Sequence, residues 1–276
     1  MKKGLLSVLT IIMLVAASSC KTRMGKLERS TDYNDLYNGA IAFYERGQYG
    51  RAKILFERIS PYYRGTDQAE RIRYYWAYSE YYQGLYQLAA YQFKEFYQTY
   101  GRSPYAQEAQ FMEAYSLYRS SPGEELEQKS SEEAVLAMQN FLNRYPASKY
   151  YQQANDIINE LQVRFETKAY NTAKLYYKLS TGLSFRNYLE AALVTFEAFK
   201  EDYPDSKYNE ELLYLSIETS YKLANNSINS KKEERFGKTL SLYREFKIKY
   251  PASVYLNEIE DFFERSNKAL EILKTE

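Results

Sequence analysis

The sequence predicts an all-α chain, an α-solenoid of about five helix pairs closed by a C-terminal capping helix. A recurring joint is the first observation behind this. Tyr145-Pro146-Ala147-Ser148-Lys149-Tyr150 returns as Tyr203-Pro204-Asp205-Ser206-Lys207-Tyr208 and Tyr250-Pro251-Ala252-Ser253-Val254-Tyr255, with looser copies at Tyr100-Gly101-Arg102-Ser103-Pro104-Tyr105 and Tyr63-Arg64-Gly65-Thr66. The second is the pattern leading into each joint. Phe56/Ile59/Tyr63, Phe93/Phe96/Tyr100, Met138/Phe141/Tyr145, Phe196/Phe199/Tyr203 and Tyr243/Phe246/Tyr250 are all apolar or aromatic, and Ala52, Ala89, Ala134, Ala192 and Thr239 are small four residues earlier. Spacings of four, three and four put these places on one helical face, with the small residue where a neighbouring helix can approach.

Each joint combines a stop and a start. Proline disfavours the helical conformation in the residue before it, so helices arriving at Tyr145, Tyr203 and Tyr250 should end there. Ser148, Ser206 and Ser253 are the expected N-caps of the helices that follow. None has Glu or Gln three residues later, so no capping box is expected.

In chain order, residues 1–19 carry Lys2-Lys3, an apolar run from Leu5 to Ala17, and small residues before Cys20. That is the layout of a secretory signal, too short to span a bilayer. Ala17-Ser18-Ser19-Cys20 resembles a bacterial lipobox, departing from it in having Ala17 where leucine is usual. The resemblance implies cleavage before Cys20, acylation of that residue, and a lipid anchor in place of a spanning helix. Residues 20–31 are polar with no evident apolar face and are expected to form a flexible tether.

The repeats occupy residues 32–276, at roughly 33–63, 67–100, 104–145, 149–203 and 207–250, with a cap at 254–276. Leu36, Ala40 and Phe43 define the first helix of repeat one, and Ala52, Phe56 and Ile59 the second. Repeat two places Trp76, Ala77 and Tyr81, then Ala89, Phe93 and Phe96, in the same phase. Repeat three has helices at Tyr105 to Arg119 and Glu132 to Tyr145, separated by an insertion at 120–131. Repeat four opens with one long helix from Tyr150 to about Leu179, and its turn is Ser180 to Asn187. In repeat five, helices near Asn209 to Leu223 and Phe236 to Tyr250 are joined by a polar stretch, Asn225 to Lys232, expected to be a flexible loop. The amphipathic segment Tyr255 to Leu273 closes the array.

Composition removes several function classes. There are 37 basic and 36 acidic residues, a formal net charge of +1, which gives no electrostatic case for nucleic acid. The chain has no histidine, so imidazole-based acid–base catalysis and imidazole metal ligation are absent. Its single cysteine, Cys20, excludes an internal disulfide. The Glu124-Glu125-Leu126-Glu127 run lies in a polar insertion and reads as solvated charge. No catalytic residue, cofactor or metal is expected.

Arg46-Gly47-Gln48-Tyr49 with Ala52, and Gln83-Gly84-Leu85-Tyr86 with Ala89, resemble the turn of tetratricopeptide repeats, which places Gly-x-Tyr-x-x-Ala between paired helices. In such arrays the first helices line the concave face. The positions flanking Ala40, Ala77 and Ala114 there are Tyr37, Ile41 and Tyr44; Tyr74, Tyr78 and Tyr81; and Phe111, Tyr115 and Tyr118. Seven of these nine are tyrosine, suited to an extended peptide ending in aromatic residues.

Repeat number, joint motif and lipobox together resemble the outer-membrane assembly lipoprotein family BamD, over Asp32 to the C-terminus. The resemblance implies a lipoprotein on the periplasmic face of the outer membrane that binds unfolded outer-membrane proteins and docks onto the periplasmic domains of the β-barrel core subunit. Repeats four and five would be the docking end. Glu197, Lys200 and Glu201 are exposed candidates there, with ordinary solvated charge the simpler reading. The insertion after Arg119 and the Asn225 stretch depart from the family's commonest pattern. Two alternatives stand beside this: another periplasmic scaffold coordinating division or peptidoglycan synthesis, and, further off, a nutrient-binding lipoprotein.

Overall fold

The computed structural model describes residues 23–180 and 185–275, and over these residues the chain is helical, with twelve helices and no strand. A short helix at 23–29 (α1) precedes α2 (Tyr33–Glu45), α3 (Tyr49–Ile59), α4 (Asp67–Tyr82), α5 (Tyr86–Thr99), α6 (Ala106–Ser120) and α7 (Lys129–Arg144). They are followed by α8 (Tyr151–Leu179), α9 (Phe185–Asp202), α10 (Asn209–Asn225), α11 (Asn229–Lys249) and α12 (Leu256–Thr275). From α2 to α7 and from α9 to α12 each helix packs on the next, in an α-solenoid of tetratricopeptide type. The chain divides into two compact units, the boundary falling between Leu161 and Gln162 within α8.

The anchors behave as their spacing requires. Ala52, Phe56, Ile59, Ala89, Phe93, Phe96, Ala134, Met138 and Phe141 are all buried in the first unit, and Ala192, Phe196, Phe199, Thr239, Tyr243 and Phe246 in the second. Each full burial of such a side chain contributes roughly 1.5–3 kcal/mol. In the first hairpin, Leu36, Ala40 and Phe43 from α2 meet Leu55, Phe56 and Ile59 from α3 with Ile72 from α4. In the second unit one cluster joins Ala173, Ala192, Phe199 and Leu212, and another joins Ile217, Tyr243, Phe246 and Ile259.

The turns inside the first two hairpins need glycine. Gly47 and Gly84 sit at φ +70° and +75°. The amide of Gln48 donates to Phe43 O at 2.9 Å and that of Gly47 to Tyr44 O at 2.9 Å, and Leu85 and Gly84 repeat the pair on Glu80 and Tyr81. This double bond satisfies the last carbonyls of the helix and needs a left-handed residue between them.

The joints stop the helices where the prolines require, but the serines do not cap as expected. The amides of Tyr100, Tyr145, Tyr203 and Tyr250 donate to Phe96, Phe141, Phe199 and Phe246 at 2.7–2.9 Å, the last bond of each incoming helix. Ser103, Ser148, Ser206 and Ser253 then close a turn back to the joint tyrosine, and each Oγ accepts from the amide two residues on at 3.0–3.2 Å. The helix begins three residues after the serine. Tyr105 and Tyr208 occupy the N-cap positions with helical dihedrals and no side-chain cap. The serine caps a single lead-in turn, because its own amide is already committed to the joint.

Other boundaries also differ from expectation. Residues 23–29 of the expected tether are helical: Met24 is buried, and Leu27 lies against Gly39, where a Cβ would come within 2.5 Å of it. Arg58 holds this segment by donating to Glu28 O at 2.7 Å and Ser30 O at 2.8 Å. The expected loop at Asn225 to Lys232 shrinks to 226–228, since α11 starts at Asn229. Its first turns carry Lys, Glu and Arg, good helix formers without an apolar stripe. The turn of repeat four ends sooner than expected because α9 begins at Phe185; residues 181–184 lie outside the described residues. The 120–131 insertion reduces to 121–128 and wraps the buried Gln128, whose Nε2 donates to Gly123 O at 2.7 Å and Leu126 O at 3.0 Å. The signal segment and Cys20 lie outside the described residues.

Candidate peptide-binding face

The eight aromatic residues singled out by spacing lie on α2, α4 and α6, all in the first unit. Seven belong to one network of ring contacts. Tyr44 meets Tyr82 at 6.4 Å between centroids, Tyr82 stacks on Tyr78 at 5.7 Å, and Tyr78 meets Tyr74 at 5.0 Å and Tyr81 at 6.5 Å. Tyr81 reaches Tyr115 at 6.1 Å, and Tyr115 contacts Phe111 at 5.6 Å and Tyr118 at 5.9 Å. Tyr37 stands apart, packed on Tyr63 at 5.8 Å.

Their exposure divides them. Tyr74 and Tyr78 are each only 8% exposed and Phe111 3%, so these three serve the packing between hairpins and present little surface. Phe111 is sandwiched flat on Tyr150 at 4.3 Å, and Tyr78 meets the edge of Phe93 at 4.9 Å. Tyr37, Tyr44, Tyr81, Tyr115 and Tyr118 are half-buried and keep a face toward solvent. Position along the helix sorts them in part. The residues four after the small place, Tyr44, Tyr81 and Tyr118, are all half-buried, whereas those three before it and one after it are buried in some copies and half-buried in others.

Sequence reasoning missed the acidic partners. The hydroxyls of Tyr74 and Tyr78 both donate to Glu108 Oε1 on α6, the former at 2.8 Å. Tyr118 donates to Glu160 on α8 at 2.7 Å. In the second unit Tyr170 and Tyr177 on α8 donate to Glu211 and Glu218 on α10 at 2.6 and 2.7 Å. The same relation of first helix to next first helix therefore recurs. A signal existed: Glu108 and Glu211 each stand three residues after the second tyrosine of a joint. Tyr82, half-exposed and stacked on Tyr49 at 4.5 Å, also went unnoticed because it lies outside the counted positions.

Burial pushes the phenols of Tyr44, Tyr74 and Tyr78 well above their ordinary range, and the Glu108 carboxylate adds to this at Tyr74 and Tyr78. These hydroxyls stay protonated at physiological pH and act as donors. Elsewhere in the unit, a groove between α5, α6 and α7 is lined by Tyr91, Tyr97, Gln110, Glu113, Leu117 and Leu136. Burial raises the Glu113 carboxyl above its ordinary value, against the opposing pull of Tyr97 and Lys94.

In the second unit Lys200 bridges Glu197 at 3.3 Å and Glu245 at 3.1 Å, joining α9 to α11, while Glu201 is exposed. Among the described residues no cluster of acidic, cysteine or histidine side chains is placed to hold a metal ion, and no helix is long and apolar enough to cross a membrane.

The profile of the YfiO family, described as outer membrane lipoprotein, matches residues 29–183, more than half of the chain. The chain belongs to the YfiO outer membrane lipoprotein family. In YfiO terms, the matched stretch contains all eight aromatic residues together with Glu108 and Glu160. No curated protein matches the chain.

Proposed function

We propose that this YfiO-family chain is a non-catalytic scaffold on the periplasmic face of the outer membrane, anchored through an acylated Cys20, in the machinery that assembles β-barrel proteins. It binds unfolded outer-membrane proteins through the aromatic face of the first unit and docks the periplasmic domains of the barrel core subunit through the second. The observation that carries the reading is the partly exposed tyrosine surface of Tyr44, Tyr81, Tyr115 and Tyr118 in a chain of this family. Rings that are already packed on one side offer contact area to a peptide at little rotamer cost.

The test is a titration with a synthetic barrel C-terminal peptide ending in an aromatic residue. Tyr81→Ala with Tyr115→Ala is expected to weaken binding about tenfold or more. Tyr78 is a poor choice for this purpose, since its ring and hydroxyl are buried. Unchanged affinity in a double variant with an unchanged melting temperature would refute the reading. Co-purification with wall synthases in place of a barrel core subunit would favour a scaffold for division or peptidoglycan synthesis.

A further inference from the structure

We infer that the outward side of α1, together with the Tyr33–Tyr62 pair, is a seat for an anionic phospholipid surface, so that the first hairpin lies against the membrane. This rests on the reading of Cys20 as the acylated residue.

The argument starts from length. Arg23 is three steps along the chain from Cys20, and an extended chain covers at most about 3.3–3.6 Å per residue, so an anchor at Cys20 lies within roughly 11 Å of the start of α1. From that point the chain is held to the protein. Met24 is buried, Leu27 packs on Gly39, and Arg58 binds the carbonyls of Glu28 and Ser30. A lipid-bound Cys20 would therefore bring α1 to the headgroups.

The side of α1 turned away from its packed face carries the matching charge. Met24 and Leu27 point inward, whereas Lys26 and Arg29, three apart, stand exposed on the opposite side, and Arg23 is exposed at their flank at the start of the helix. Glu28 is the only acid among residues 23–29 and projects from a different side, two residues from Lys26. Just after α1, four residues past Arg29, Tyr33 stacks on Tyr62 at 4.0 Å with both rings exposed, at 37% and 61%. An exposed aromatic pair next to a basic stripe is the chemistry of a bilayer interface: cations meet phosphates, and phenol rings sit at headgroup level. The attraction is screened beyond about 8 Å at physiological salt, so it acts on contact with the headgroups, which the short leash favours but does not replace.

The experiment uses the chain from residue 20 onward carrying Cys20→Ser, which removes the acyl group and leaves only the seat. Sedimentation with phosphatidylglycerol vesicles should show salt-sensitive binding, and phosphatidylcholine vesicles little. Replacing Arg23, Lys26 and Arg29 with glutamine should weaken partition on the order of a hundredfold, with an unchanged melting curve. Tyr33→Ala with Tyr62→Ala should weaken it severalfold. Equal partition of the glutamine variant and its parent, or equal binding to both vesicle types, would overturn the inference. So would competition by soluble glycerol phosphate as effective as by vesicles, which would make the stripe a free-phosphate site. Labelling of the native protein with palmitate tests acylation of Cys20 separately, so a failure of the anchor and a failure of the seat give different results.

Discussion

The hydroxyl of Tyr78 on α4 donates to the carboxylate of Glu108 on α6, and Tyr74 shares the same oxygen. Two buried phenols of one hairpin thus depend on one acid of the next. Glu108→Ala leaves both without an acceptor and should cost roughly 2–4 kcal/mol, since each orphaned buried donor costs about 1–3 kcal/mol. Tyr78→Phe removes donor and demand together and should cost about 1 kcal/mol or less. Urea unfolding followed by circular dichroism would rank the variants, and a milder loss for Glu108→Ala than for Tyr78→Phe would contradict the account.

Two carboxylates should give opposite pH dependences. At Glu211, burial pushes the carboxyl up, but donation from Lys174 and Tyr170 outweighs it and the net shift is downward. Its unfolded value is about 4.3, so its stabilisation is present above that and is lost as pH falls through the lower folded value. At Glu113, burial raises the folded value, so the folded state holds the proton more tightly, and stability falls as pH rises from about 4.3 to that value. Stability profiles should therefore lose a component that falls as pH rises above about 4.3 in Glu113→Gln, and one that rises with pH up to about 4.3 in Glu211→Gln.

Glycines should respond by their backbone, not by their crowding. Gly84→Ala forces a side chain onto a residue at φ +75° and should destabilise by about 1–2 kcal/mol, although no atom lies within 4 Å of the added Cβ. Gly237→Ala, in α11 with equally open space, should stabilise by roughly 0.5–1 kcal/mol. Thermal melts of the two variants should shift in opposite directions.

Arg58 holds α1 through two backbone carbonyls, so Arg58→Ala should loosen residues 24–30 selectively. Hydrogen exchange there is expected to accelerate while α4 to α7 keep their protection. Uniform acceleration across the first unit would mean that the contact supports the whole hairpin.

The repeat was legible because its anchors obey a helical period and its prolines fix the stops. Phe56, Phe93, Phe141, Phe199 and Phe246 needed only spacing to be placed in the core. The helix at 23–29 was not legible, since two apolar residues in seven make no stripe and Arg58, which holds it, is distant in sequence. The start of α11 was hidden for a related reason: helix-forming charges such as Lys232 and Glu233 look the same in a solvated helix and in a loop. Spacing also placed Tyr78 and Tyr81 on the same helix without telling which ring the neighbouring hairpin would cover.

The joint serines carry a consequence beyond their turns. Ser103 donates to Glu70 on α4, and Ser206 donates to Glu166 on α8 at 2.5 Å, so these two joints are each latched to the hairpin before them. With the tyrosine–glutamate bonds from α4 to α6, α6 to α8 and α8 to α10, successive first helices of the middle modules are tied by polar side chains as well as by apolar packing. A module cut out of the array would strand a neighbour's phenol or carboxylate, so the polar ties as well as the apolar seams make the repeats interdependent.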